Sequence, residues 1–311
     1  MKKLFLFMLL SALVVLSTLF FAGCDRAELG KAPVPDNYEQ IINEWKQNRV
    51  ETLKAPTGWL RLAGMFILEE GENTFGSGED VDVRFPENKI GRYAGAFILD
   101  DGKVKMELQD DIEITHNSEQ VSSGKIIYDE ESAPELEHGD LQWFVIQRQD
   151  LFAIRLFNKD NEKADEFTGF PRYETNENWR LKARFKPNPE GSQITILNVL
   201  DQAEPIDSPG VLEFEVDGER FTLDALSSAG GRLFLIVGDE TNRSETYQAG
   251  RYMYIDPPED GSNYTVIDFN KIYNPPCAYN THTTCQLPPP QNRLELAITA
   301  GEKRPIDWEG L

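Results

Sequence analysis

Three cysteines and three histidines are all that 311 residues contain. So few thiols exclude a disulfide-stapled miniprotein. The histidines, His116, His138 and His282, are scattered among acidic or polar stretches. Basic residues are scarce as well: 31 Lys and Arg stand against 53 Asp and Glu, a formal net charge of -22. Phosphate backbones want a basic face, so nucleic acid is excluded as a partner. The sequence has no His-Glu-x-x-His, no glycine-flanked nucleophile serine and no phosphate-cradling glycine loop, and no cofactor is indicated. Any catalysis would have to come from groups that meet only in the fold. Fixed-period repeats are absent, and so is any low-complexity tract beyond a short tether.

What is present begins with hydrophobicity. A composition of 40% hydrophobic and 11% aromatic residues suffices for a sizeable core, in one large domain or two smaller ones. Residues 1–23 read as a secretory signal: Lys2 and Lys3, an apolar run from Leu4 to Phe21, then small residues. Phe21-Ala22-Gly23-Cys24 matches the lipobox of bacterial lipoproteins, with Phe21 where Leu is usual, and makes Cys24 the expected lipidation site. An uncleaved membrane anchor and ordinary secretion are the alternatives. The expected location is the cell envelope, outside the cytoplasm. Asp25 directly after the cysteine tilts that towards the periplasmic face of the inner membrane.

Cys277 and Cys285 remain as an even pair within a Pro-rich segment. A disulfide between them would close a short loop and constrain the unfolded chain by roughly 2.5 kcal/mol. Two free thiols are the second reading. A metal site through His282 is the third, and the segment offers at most three ligands where structural zinc needs four.

Along the chain, residues 24–35 read as a tether and residues 36–55 as an amphipathic helix. Asp36 is placed to cap it with Glu39 reaching back, while Tyr38, Ile41, Ile42 and Trp45 form one apolar face. From residue 57 the period changes to two. Val81, Val83 and Phe85 alternate with charged residues, and so do Val104, Met106 and Leu108. Continuous apolar runs at Trp143–Ile146, Phe152–Phe157, Ile194–Leu200 and Leu233–Val237 predict buried strands. Asp217-Gly218 between alternating segments predicts a two-residue hairpin turn. The expected fold is mainly β, a sandwich or barrel-like body with one N-terminal helix. One body, or a division into a first β-subdomain over 56–160 and a second over 161–311, fits this pattern. Between residues 100 and 140 stand 13 acids and three lysines, which suits solvated strand edges that resist aggregation.

Several ordered motifs carry a resemblance. They are Gly58-Trp59-Leu60-Arg61-Leu62-Ala63-Gly64, Asn73-Thr74-Phe75-Gly76-Ser77, Gly169-Phe170-Pro171-Arg172-Tyr173 and Asn198-Val199-Leu200. Further on come Gly238-Asp239-Glu240-Thr241, Gly250-Arg251-Tyr252, Asp268-Phe269-Asn270, Tyr273-Asn274-Pro275-Pro276-Cys277 and Pro288-Pro289-Pro290-Gln291-Asn292-Arg293. Over about residues 40–305 the chain resembles the bacterial and archaeal family known as domain of unknown function 1684, DUF1684, which implies no particular activity. Phe66 to Ser77, Val81-Asp82-Val83 and Ala94-Gly95-Ala96-Phe97 also resemble the opening of a forkhead-associated β-sandwich. No Ser-x-x-His follows to read phosphothreonine.

The densest polar constellation runs from 238 to 293. Asp239, Glu240, Tyr247, Arg251, Asp268, Asn270 and Arg293 follow buried strands or turns, where ligand sites are built. The expected role is a binding or structural module for a small molecule, a glycan or an envelope protein. A hydrolase of envelope glycan or ester, using Asp239 or Glu240 with Asp268, is the alternative. The third reading makes Asp239, Arg251 and Arg293 a buried ion-pair network that fixes the Pro-rich C-terminal segment.

Overall fold

The computed structural model describes residues 29–305; the signal segment with Cys24 and Asp25 lies outside the described residues. The chain is mainly β, as its alternating patterns predict, and no closed barrel forms among the described residues. The first part is two facing sheets. A six-stranded sheet runs, in spatial order, Leu62–Ile67, Leu151–Asn158, Leu141–Arg148, Leu136–His138, Thr115–His116 and Glu119–Gln120. A five-stranded sheet runs Val83–Arg84, Gly71–Gly76, Gly95–Asp100, Lys103–Leu108 and Lys125–Tyr128. Phe75, Phe85, Phe97 and Trp143 fill the space between them; the Phe75 and Phe97 rings stack 4.3 Å apart, and Phe85 meets Trp143 edge-on at 5.2 Å. Such aromatic pairs combine large buried area with a preferred geometry.

The second part is built on a seven-stranded sheet that includes Arg180–Pro187, Gly210–Val216, Glu219–Ser227, Leu233–Val237 and Arg251–Ile255. Tyr264–Asp268 pairs with Arg180–Pro187, and so does the short strand Gly30–Lys31. Leu212, Phe214, Leu223, Leu235, Met253 and Phe269 form its core. Asp217 and Gly218 have φ of 52° and 86°, the two positive values that a tight right-twisting hairpin turn requires.

The helix that we call α1 spans Tyr38–Lys54 and buries Tyr38, Ile42 and Leu53. Its N-cap is Asn37, not Asp36, and no side chain caps it. The entering turn is closed by the backbone instead, Tyr38 N donating to the carbonyl of Pro35 at 3.0 Å. Leu53 joins Leu60, Ala164, Phe167 and Phe170 in a small third core. Among the described residues no helix is long and apolar enough to cross a membrane.

One expected strand is differently placed. Gln193–Leu197 is a strand, but of the run Ile194–Leu200 only Ile196 is buried, while Leu197, Val199 and Leu200 are exposed. This strand pairs with Ala203–Asp207 as a separate two-stranded hairpin, whose Ile194, Ile196 and Ile206 pack on Leu226, Phe234 and Tyr252 of the large sheet. Apolar content alone does not report the number of layers around a strand; here one face packs and the tip is in solvent.

Candidate functional site

The polar residues singled out in the sequence fall into distinct environments. Arg251 donates to the Asp239 carboxylate at 2.8 Å, and both side chains are wholly buried. The same guanidinium donates to the carbonyls of Ala300 at 2.6 Å, Ile298 at 2.9 Å and Glu302 at 3.2 Å. Asp239 also accepts from the Thr241 amide at 2.9 Å. Asp268 lies elsewhere, accepting from the Tyr38 hydroxyl at 2.9 Å and facing Arg180 at 3.5 Å. Asn270 donates to the Tyr38 oxygen at 2.9 Å. Burial, with Asp268 adding to it, pushes the Tyr38 hydroxyl well above its ordinary value.

Glu302 links the two groups. Its buried carboxylate meets Arg49 at 3.4 Å and Arg172 at 3.2 Å, and accepts from the Asn274 amide at 2.7 Å. Arg172 in turn donates to the Asn270 carbonyl at 2.6 Å. Asp239, Arg251, Asp268 and Asn270 are therefore the ends of one continuous polar framework. It holds the segment 298–302 and the N-terminus of α1 against the second sheet. Glu240 and Arg293 are exposed, and Arg293 joins the strand end at Gly238 through its backbone. Tyr247 donates to the Cys277 carbonyl at 3.1 Å.

Cys277 and Cys285 are joined as a disulfide, their Cα atoms 6.0 Å apart. The loop between them is braced from both sides. Asn280 donates to the carbonyls of Trp59 at 3.1 Å and Leu62 at 2.9 Å. Beyond the disulfide, Val199 N donates to the Cys285 carbonyl and Leu287 N to that of Leu197, which hangs the solvent-exposed hairpin on this segment. His282 is half-buried, and that burial lowers its pKa. Among the described residues no group of three or more His, Cys, Asp or Glu stands where it could hold a metal ion.

These braces surround a cleft of about 440 Å³, within the range of roughly 300–1,000 Å³ usual for small-molecule sites. One wall is the strand pair Leu141–Arg148 and Leu151–Asn158, which contributes Arg148 and Arg155. The opposite wall is the hairpin and the disulfide segment, with Gln202, Glu204, Thr283 and Gln286. Aromatic rings form the back: Trp59, Phe234, Tyr252, Tyr254 and Tyr273. Their positions are fixed by mutual packing, Phe234 stacking on Tyr254 at 4.7 Å and meeting Tyr252 edge-on at 5.0 Å. Arg49 sits 4.3 Å from the centre of the Tyr273 ring.

The electrostatics of this cleft run against those of the chain. Arg155 lies over Trp59, 5.3 Å from the ring centre. Its Nε is buried and has no hydrogen-bond partner. Among the described residues it forms no ion pair, and neither does Arg148. The register puts them on one face: Phe144 pairs with Arg155 and Arg148 with Leu151, so both arginines emerge on the same side of the strand pair, four positions apart. Burial pulls the Arg155 guanidinium below its ordinary value, and the charge of Arg148 pulls it the same way. Arginine nonetheless remains charged at neutral pH. Two like charges, one of them largely desolvated, repel unless an anion lies between them.

None of Arg148, Arg155, Trp59 or Tyr254 stood out as a ligand residue in the sequence, because they are brought together from three separate stretches of chain. One signal was there. Phe152-Ala153-Ile154-Arg155-Leu156-Phe157 places a full charge inside an otherwise apolar strand, a position that arginine occupies only with a partner or a purpose.

The model of the family described as "Protein of unknown function (DUF1684)" matches residues 165–303. No curated protein matches the chain. Among solved structures, the solution NMR structure of an uncharacterized protein from Haloarcula marismortui is similar at 32% identity, covering 48% of this chain and 82% of that one with a TM-score of 0.39. The matched residues hold Asp239, Arg251, the disulfide and Glu302, that is, most of the framework on which the cleft is built, and the chain belongs to the DUF1684 family.

Proposed function

We propose that this protein is a lipid-anchored binding module of the cell envelope, outside the cytoplasm, that takes a small anionic ligand in the arginine–aromatic cleft. The observation that carries the binding role is Arg155. In a chain with 53 acidic residues, this largely desolvated guanidinium has no acid beside it and has Arg148 as its charged neighbour. A buried cation without a partner costs free energy, and a bound carboxylate or phosphate would offset that cost with charge-assisted, bidentate hydrogen bonds. The envelope location rests on the Phe21-Ala22-Gly23-Cys24 pattern. Of the carboxylates in the hydrolase reading, Asp239 is engaged by Arg251 and Asp268 by Tyr38 and Arg180, while Glu240 is exposed.

Calorimetric titration with inorganic phosphate, citrate and glucuronate tests the site. At least one should bind saturably, and Arg155→Gln should weaken it tenfold or more. If none binds saturably, the anion-site reading fails. The intact mass of protein purified from a bacterial envelope tests the anchor, which requires a diacylglyceryl adduct on Cys24.

A further inference from the structure

The cleft does not end at its aromatic back. Tyr254 lines it and also lines a second hollow of about 540 Å³, whose far side carries Tyr38, Trp45 and Tyr264. The two hollows differ in charge. The first has Arg49, Arg148 and Arg155 against Glu204. The second is balanced, with Arg180, Arg232 and Lys271 facing Asp256, Glu259 and Asp268. Resting on the anion-site reading above, we propose that the ligand is an acidic oligosaccharide. Its uronate carboxylate sits between Arg148 and Arg155, and its next, uncharged units cross Tyr254 into the second hollow.

Three observations favour this class. Tyr254 is 39% exposed, yet its ring is held by stacking on Phe234 at 4.7 Å. That makes it a rigid platform of the kind that receives the apolar face of a ring. The walls around the arginines are amides and hydroxyls, Gln202, Thr283 and Gln286 among them, suited to many weak hydrogen bonds from a polyhydroxylated ring. Finally, the change from net positive to balanced charge along the path matches one acidic unit followed by neutral ones. A uniformly charged polymer would meet the acidic surface of a chain with net charge -22.

The test compares glucuronate, a tetrasaccharide of one terminal glucuronate followed by three N-acetylglucosamine units, and the neutral N-acetylglucosamine tetramer. The glucuronate-terminated tetrasaccharide should bind at least tenfold more tightly than glucuronate, and the neutral tetramer at least tenfold more weakly than the glucuronate-terminated one. Tyr254→Ala should remove most of the tetrasaccharide's advantage over glucuronate, while Tyr254→Phe should retain it. Equal affinities for glucuronate and the tetrasaccharide would overturn the oligosaccharide inference and leave the anion site standing. So would phosphate or citrate binding with no binding of either uronate. Loss of all anion binding would overturn both.

Discussion

Arg251 and Asp239 meet at 2.8 Å with no solvent access to either side chain, and the two Nη atoms of the guanidinium also donate to the carbonyls of Ile298, Ala300 and Glu302. A buried ion pair contributes little net stability when intact, because desolvation offsets attraction. Breaking one half is a different matter. Asp239→Asn leaves a buried guanidinium short of its counter-charge and should cost about 3–5 kcal/mol. Arg251→Met should cost as much, since it also orphans the carbonyls of the C-terminal segment. Urea unfolding would give both values, and hydrogen exchange should show amides of 298–302 exposed in Arg251→Met.

Arg155→Met should behave in the opposite way. It removes an unpaired charge from a largely buried position and leaves Arg148 without a like-charged neighbour. In ligand-free protein it should be neutral or stabilising by up to about 1 kcal/mol, with anion binding lost. A thermal melt of each variant with and without added phosphate separates the two effects: the melting temperature of the native protein should rise with phosphate, and that of Arg155→Met should not.

His282 gives a pH dependence with a definite sign. Burial lowers its folded pKa below the unfolded value of about 6.5. The unfolded chain therefore takes up the proton first as pH falls. The contribution is fully present above the unfolded pKa and is lost as pH falls through the folded one. His282→Asn should flatten this part of the stability curve between neutral and mildly acidic pH, as read from urea midpoints. A slope identical to that of the native protein would show that His282 does not supply it.

Replacing Cys277 and Cys285 together by serine should cost roughly 2–3 kcal/mol on the loop-entropy account. The site should suffer beyond that loss. Cys285 lines the cleft, and its carbonyl anchors the hairpin through Val199. Anion affinity measured well below the melting temperature should fall in the double variant, a change that lower global stability by itself would not produce.

How far the sequence foretold this molecule depends on the range of the interaction concerned. Asp217-Gly218 specified its turn because the required backbone is local to those two residues. Trp143 and Phe157 announced buried strands, since a two-layer core leaves a periodic trace. Ile194–Leu200 misled because exposure depends on what lies across from a strand, and here only the Ile194 and Ile196 face meets a core. Asp36 had the right chemistry to cap α1, but the helix begins one residue later, with Asn37 as N-cap and the Pro35 carbonyl closing the turn. The cleft was hidden for a further reason. Arg155 and Trp59 are brought together by pairing of Leu62–Ile67 with Leu151–Asn158, and Tyr254 arrives from the other sheet. Of the conspicuous acids and arginines of 238–302, Asp239, Arg251, Asp268 and Glu302 are buried in ion pairs, while Glu240 and Arg293 are exposed.

The short strand Gly30–Lys31 has a mechanical consequence. It pairs with Leu181 and Lys182, while Ala32 N donates to the Arg180 carbonyl and Arg180 Nε to that of Pro33. A pull on the chain ahead of Leu29 is thus received as shear along this clasp and passes directly into the seven-stranded sheet. The two-sheet body of residues 62–158, although next in sequence after α1, lies off the load path. Traction at that end would be borne by a few backbone hydrogen bonds that can yield and re-form while the cleft keeps its shape.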